Sequence, residues 1–243
     1  MGVVGSKLEN AMTSSSGRIE AVEALLAERY SCRAFRPDPV PRPVIERVLA
    51  AAQRTASWCN SQPWQVIVAS GAAAARFRDA IFAEAGADTS AHASGSDFPF
   101  PREYRGVYLE RRRESGFQLY NALGIARGDK QGYRLQSLQN FKLFGAPHVA
   151  VISTDEALGV YGAVDCGGYV ANFMMAAQAL GVATIPQAAL AGYSKFIRGY
   201  FGLGEDRRVV CGISFGYADP SHPANSYRTS RASIGEAATF IDE

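Results

Sequence analysis

Apolar residues recur at helical spacing from 19 to 29, at Ile19, Val22, Leu25 and Leu26 with Tyr30 beyond, and predict a first helix. Residues 31–36 then read as extended. Prolines at 37, 39, 41 and 43 bar a helix until the last of them can occupy a first turn, after which Val44, Ile45, Val48, Leu49 and Ala52 repeat helically. WQVIVA at 64–69 predicts a strand by its β-branched content, followed by an alanine-rich helix. Residues 86–101, rich in Gly, Ala, Ser, Asp and Pro, predict a long loop of the kind that often serves binding. Helical spacing returns at 103–123 through Tyr104, Tyr108, Phe117, Tyr120 and Leu123, and at about 132–144 through Leu135, Leu138 and Phe141. A second strand follows at 148–153. The longest apolar segment, 160–180, is apolar nearly all round and ends at Gly181, which predicts a central buried helix with part of its surface facing a second subunit. A short strand at 182–185 runs into Pro186, a helix at 193–201 stops at Gly202, and a Gly-interrupted strand occupies 208–215. The tail, 217–243, reads as irregular.

This pattern is one domain, 18–243, with a helical insertion near 86–135 and a polar, Gly/Ser-rich lead at 1–17 expected to be disordered. Hydrophobic residues make up 47% of the 243, ordinary for a folded chain, and no apolar run approaches the eighteen residues a membrane span needs. A net charge of +2 is too balanced to indicate a nucleic-acid or membrane-surface partner. Cys32, Cys59, Cys166 and Cys211 share no CxxC spacing, and His92, His148 and His222 show no ligand spacing, so neither a metal site nor a dithiol is expected. A reducing, cytoplasmic setting is the default.

Several enzyme classes lose their motif. No GxGxxG opens a helix after a strand, and neither GxxxxGK[ST] nor HExxH occurs. Residues 212–216, GISFG, spell GxSxG, but a nucleophile elbow needs a helix after the turn and here a Pro-bearing tail follows.

Two polar clusters stand out between the first helix and the first strand. Arg29, Ser31 and Arg33 lie two apart, so an extended backbone would project them to one face, where two guanidiniums and a hydroxyl make a phosphate seat. Ser57, Asn60 and Gln62 precede Pro63 and Trp64. Each alone reads as readily as ordinary structure, since cations favour helix C-termini and Ser and Asn favour loops. Jointly they resemble a known pattern. ERYSCRAF is similar to the Arg-x-Ser-x-Arg opening of the FMN-dependent nitroreductase family, and TASWCNSQPW resembles its Pro-Ser-x-x-Asn-x-Gln-Pro-Trp, with Ala56 where proline is common. ALGVATIPQAAL and, after GYADP, NSYRTSRASI complete four segments in the family order. The SWCNSQPW spelling and the insertion REYRGVYLERRRESGFQLYNALGI at 102–125 look like the nitrobenzoate-reductase subgroup.

The resemblance implies an α+β, nitroreductase-like fold, with a central, mostly antiparallel sheet flanked by helices, in an intertwined homodimer with FMN at the interface. It implies that Arg29, Ser31 and Arg33 approach the ribityl phosphate or the pyrimidine edge. Ser57, Trp58, Asn60 and Gln62 would come from the partner subunit, and Pro186, Gln187, Ala188 and Ala189 would pass against the ring with an N–H near Ala188 aimed at flavin N5. Arg228 and Arg231 would close on the phosphate, and Gln139 and Lys142 would meet the ribityl chain and ring edge. Arg33 or Lys142 is the candidate cation for the charge that reduced flavin carries near N1. No protein nucleophile is required, and Cys59 has no neighbouring base in sequence.

The function so implied is NAD(P)H-dependent reduction of nitroaromatics by two-electron hydride transfer through flavin N5 in a ping-pong cycle, with Tyr104 and Tyr108 as candidate substrate-lid residues. Two alternatives stay open at this point. One is a flavin reductase of quinones, enones or other small electrophiles; the other is an FMN-binding protein without turnover.

Overall fold

The computed structural model describes residues 17–87 and 95–242. Most of the expected N-terminal lead, the centre of the expected loop and His92 lie outside the described residues. The first helix, α1, covers 17–28, and α2 spans Arg42–Ala52 with proline in its first turn. Then come β1 (Gln65–Ser70), α3 (Gly71–Ala87), α4 (Gly106–Ala122), α5 (Lys130–Leu138), β2 (His148–Asp155), α6 (Gly159–Ala179), β3 (Ala183–Gln187), α7 (Ala188–Ala191), α8 (Ser194–Phe201), β4 (Arg207–Gly216) and a last turn of helix, α9 (Ile234–Ala237).

The four strands form one antiparallel sheet in the order β1-β2-β4-β3. β2 is central and buried on both faces, which is why its middle, VAVI, is apolar without alternation. Its residues alternate between two cores. Ala150 and Ile152 join Ile45 and Val48 of α2 and Cys166, Tyr169 and Phe173 of α6 on one face, while Val149 and Val151 join Phe77 and Ile81 of α3 and Ile197 of α8 on the other. The result is helix, sheet and helix in three layers, the α+β architecture expected. The GISFG run lies inside β4, so no elbow forms. Gly212 within it is required for close packing, because a Cβ there would come within 2.3 Å of Leu190 Cδ1 of α7.

Two expectations are corrected. The helix anticipated over 132–144 ends at Leu138 and cannot reach 144, because Leu143 and Phe144 take left-handed backbone with φ of 53° and 52°; both are buried, Leu143 in the core beneath the sheet. The helix over 160–180 is buried on one face only; Val160, Tyr161 and Val164 are exposed at 72%, 59% and 60%. One flank of α6 meets the sheet and α2; among the described residues the other carries only the Trp58 loop, against Tyr161 and Asp165, and leaves Val160 and Val164 open. No helix among the described residues is long and apolar enough to cross a membrane.

Candidate functional site

The segment after α1 runs along the open edge of β3. Ser31 pairs in parallel with Thr184, the Cys32 N–H donates to Thr184 O at 3.0 Å, and Phe35 pairs with Ala218. In this extended backbone Cys32 and Ala34 point inward and are buried, and Arg29, Ser31 and Arg33 line one cavity of about 320 Å³. Tyr227, Arg228, Thr229 and Arg231 of the tail form its other wall, and Ser115 of α4 closes it. Asn225 ties tail to arm, accepting the Arg33 N–H at 2.8 Å and donating to Ala34 O at 2.9 Å and Asp219 O at 2.8 Å.

Four guanidiniums thus surround a cavity whose lining holds no carboxylate. Among the described residues, none of the four is in an ion pair. Three of them, Arg33, Arg228 and Arg231, are held by neutral groups instead. Arg33 donates to Tyr227 Oη at 2.9 Å and Ser31 O at 3.2 Å, and Arg231 to Thr229 Oγ1 at 2.9 Å. Arg228 donates to Asn225 O and Tyr227 O at 2.9 and 2.8 Å, with its guanidinium 3.7 Å from the centre of the Tyr30 ring. Burial, and then the charge of Arg231, lower the pKa of Arg29. Positive charge concentrated in this way and left unneutralised is complementary to a phosphate, whose oxygens accept several N–H donors at once.

Arg33 also lines a second cavity of about 710 Å³, with Gln139, Lys142, Phe144, Gln136 and Leu123 on one side and Arg78 and Phe82 of α3 on another. The Lys142 ammonium lies 4.9 Å from the centre of the Phe82 ring. Pro186 sits in β3 at the sheet edge, where a missing N–H is tolerated. The Gln187 side chain turns inward: its amide donates to Asn140 O at 2.8 Å and its carbonyl accepts from Ser214 Oγ at 2.5 Å. Only its main chain is left for a ligand. Ala188, exposed, opens α7, where N–H groups have no intrahelical acceptor.

Pro186, Gln187, Ala188 and Ala189 line neither cavity, and the remaining predicted residues stand apart from both as well. Ser57, Trp58, Asn60 and Gln62 form a loop against α6, with Trp58 59% exposed. Tyr104 and Tyr108 are exposed near the start of α4, Tyr104 beneath the Arg112 guanidinium at 5.1 Å, and line neither cavity.

The sequence profile of the Nitroreductase family matches residues 26–217. The chain belongs to the nitroreductase family. It is 40% identical over 229 residues, 91% of this chain and 93% of the relative, to Nitroreductase NfnB of Mycolicibacterium smegmatis, and 31% identical over 212 residues, 86% and 90%, to a 4-nitrobenzoate reductase of Pseudomonas putida. Among solved structures it is similar to the FMN-dependent nitroreductase NfnB from Mycobacterium smegmatis in complex with NADPH, with 36% identity and a TM-score of 0.85 over 92% of this chain and 99% of that one. The FMN and NADPH-dependent NfnB of Sphigopyxis sp. strain HMH gives 33% identity and a TM-score of 0.85 over 91% and 98%.

In this nitroreductase, sequence reading found the arginines but missed the groups that hold them. Tyr30 and Tyr227 neighbour Arg29 and Arg228 in sequence, and Asn225 lies in the NSYR segment, so a signal was present for these three. Ser115, Arg78 and Phe82 carry none, because only tertiary packing brings α3 and α4 to the cavities. The buried thiols take no part. Burial pushes Cys32 up to about 11 and Cys166 and Cys211 up to about 12, far from the thiolate that reactivity needs.

Proposed function

We propose that this chain is an FMN-dependent, NAD(P)H-consuming nitroreductase acting on nitroaromatic compounds. The observation that carries the reading is the cavity of four arginines without a carboxylate, set beside the edge of β3. Its charge and donor geometry suit the phosphate of FMN, the cofactor named for the two structural relatives above, both of which are also named with NADPH. Arg29, Arg228, Arg231 and the Ser31 hydroxyl would hold that phosphate. Arg33, shared by the two cavities, would reach past it with Gln139 and Lys142 toward the ribityl chain and ring edge. Pro186, Gln187, Ala188 and Ala189 would lie against the ring through their main chain.

FMN held there would supply reversible two-electron hydride chemistry between a reduced nicotinamide and a nitro group. The protein's part is electrostatic and positional. Arg33 or Lys142 supplies a fixed cation for negative charge at the pyrimidine edge, and the Ala188 N–H supplies a donor for N5. No side chain has to act as a nucleophile. A second copy belongs to the same proposal, since the 57–62 loop lies away from its own chain's arginines and the α6 face beside it is exposed. Ser57, Trp58, Asn60 and Gln62 would complete the cavity of the partner.

The test is an absorbance spectrum of the purified protein, recorded before and after anaerobic NADPH or NADH and again after 4-nitrobenzoate. A flavin band that bleaches with the nicotinamide and returns with the nitro compound is expected. A protein that stays colourless after incubation with FMN overturns the reading, and a band restored only by oxygen or a quinone overturns its nitroaromatic part.

A further inference from the structure

The 57–62 loop holds a conformation its side chains do not favour. Cys59, Asn60 and Gln62 have φ of 51°, 55° and 47°, a left-handed region that asparagine enters readily but cysteine and glutamine seldom do unless their surroundings hold them there. Packing does not hold them, since residues 58–62 are all exposed. Hydrogen bonds do. Within the loop, the Asn60 N–H donates to Ser57 O at 3.0 Å and the Gln62 N–H to Ser57 Oγ at 2.9 Å. From outside, Gln53 at the end of α2 donates to Gln62 Oε1 at 3.1 Å while accepting from Trp64 Nε1 at 3.0 Å.

The other outside tie comes from α6. Asp165 Oδ2 accepts the main-chain N–H of Trp58 at 3.1 Å. Tyr161 lies one turn earlier on the same face of the helix and meets the Trp58 indole edge-on, ring centres 4.5 Å apart at 73°. Asp165 forms no ion pair among the described residues, and its one hydrogen bond among them goes to Trp58. A carboxylate is a stronger acceptor for a peptide N–H than a neutral oxygen, and an edge-to-face contact fixes the turn of the ring. One residue therefore sets the backbone of Trp58 and the other its indole.

We propose that Tyr161 and Asp165 are positioning residues, a two-point clamp on α6 that aims Trp58 at the flavin cavity of the second copy and so shapes the space left there for the electron acceptor. The proposal rests on the function given above, in which Trp58 stands at the flavin cavity of a second copy. The spacing of four residues is what allows one helix to hold both points.

The test compares Asp165→Ala, Asp165→Asn, Tyr161→Ala and Trp58→Ala in the FMN-loaded enzyme. Asp165→Ala is expected to raise KM for 4-nitrobenzoate about tenfold, as loss of a charge-assisted bond would, with kcat and FMN content held within about twofold. Asp165→Asn recovers most but not all of the loss in KM, because its amide oxygen accepts the same N–H without the charge. The double variant Asp165→Ala with Trp58→Ala is no worse than Trp58→Ala alone, since Asp165 acts through that residue. The near-ultraviolet circular dichroism of the indole weakens in Asp165→Ala and largely returns in Asp165→Asn. Additive effects in the double variant, or kcat and thermal stability falling together with KM unchanged, overturn the clamp. If Asp165→Ala does not fold, Tyr161→Ala carries the same comparison. The dichroism needs neither flavin nor turnover, so an unchanged indole signal defeats the clamp alone, and a colourless wild-type protein defeats the proposed function alone.

Discussion

Arg29 occupies a place where a cation is poorly accommodated until an anion joins it. It is half-buried, shares its cavity with three other guanidiniums, and its pKa is lowered first by burial and then by Arg231. A dianionic phosphate reverses both effects, and each guanidinium that bonds it contributes about 1.5–3 kcal/mol. Arg231→Ala is therefore expected to raise the Kd for FMN by about ten- to a hundredfold, read by quenching of flavin fluorescence on titration. Arg231→Lys should recover only part of this, because an ammonium lacks the planar pair of donors. An unchanged Kd in the alanine variant would remove the tail arginine from the phosphate seat.

At the scale of elements, two buried polar contacts join segments far apart in sequence. His148 opens β2, accepts the Val40 N–H at Nε2 at 2.8 Å, and so must carry its proton on Nδ1, which faces Ser70 Oγ at 2.8 Å. It therefore ties the end of β1 to the proline-rich link between the arginine arm and α2, and it can do so only while neutral. Burial lowers its pKa from the ordinary 6.5. The unfolded chain then takes up the proton first, so this contribution is fully present above about pH 6.5 and is lost as pH falls below it. Urea midpoints should decline from pH 7.5 to 5.5, with a shallower decline in His148→Gln; equal slopes would refute the assignment. The second contact is Asp97 with Arg198 of α8, at 2.5 Å and with side chains only 6% and 10% exposed. Asp97 also accepts the Val209 N–H at 2.8 Å, and so docks the loop before α4 onto β4. Asp97→Ala strands a buried guanidinium and is expected to cost about 3–5 kcal/mol by urea denaturation.

These contacts mark the limit of what the sequence made legible. Strands could be read from their β-branched content, as in WQVIVA, and helices where burial imposes a period of about 3.6 on their own residues, as at Ile45, Val48 and Ala52. The end of α5 could not, because the left-handed turn at Leu143 and Phe144 goes with Leu143 being buried against α3 and β2, which its own sequence does not encode. The site divides in the same way. Alternation alone placed Arg29, Ser31 and Arg33 on one face, but Arg228 and Arg231 were indistinguishable from solvated tail residues without the family likeness. Gln187 read as a flavin contact, yet its side chain is claimed by Asn140 and Ser214, 47 and 27 positions away.

For the whole molecule, the arrangement of one chain states what its neighbour must supply. The arginine cavity lies where arm, tail and α4 meet, while the 57–62 loop is clamped to α6 beside an uncovered apolar face that includes Val160 and Val164. If each loop completes the cavity of the other copy, two defects in one chain belong to different sites. An Arg231→Ala chain and an Asn60→Ala chain, each impaired as homodimers, would then form mixed dimers in which one site carries both defects and the other none. Co-expression at equal levels makes about half of all dimers mixed, so about a quarter of wild-type sites should be intact. Nitroaromatic reduction by the co-expressed pair should rise to that level above the sum of the two parents, whereas a chain carrying both substitutions, co-expressed with wild type, should show no such gain over dilution. A site built within one chain gives no rescue in the first mixture, because every copy then keeps its own lesion.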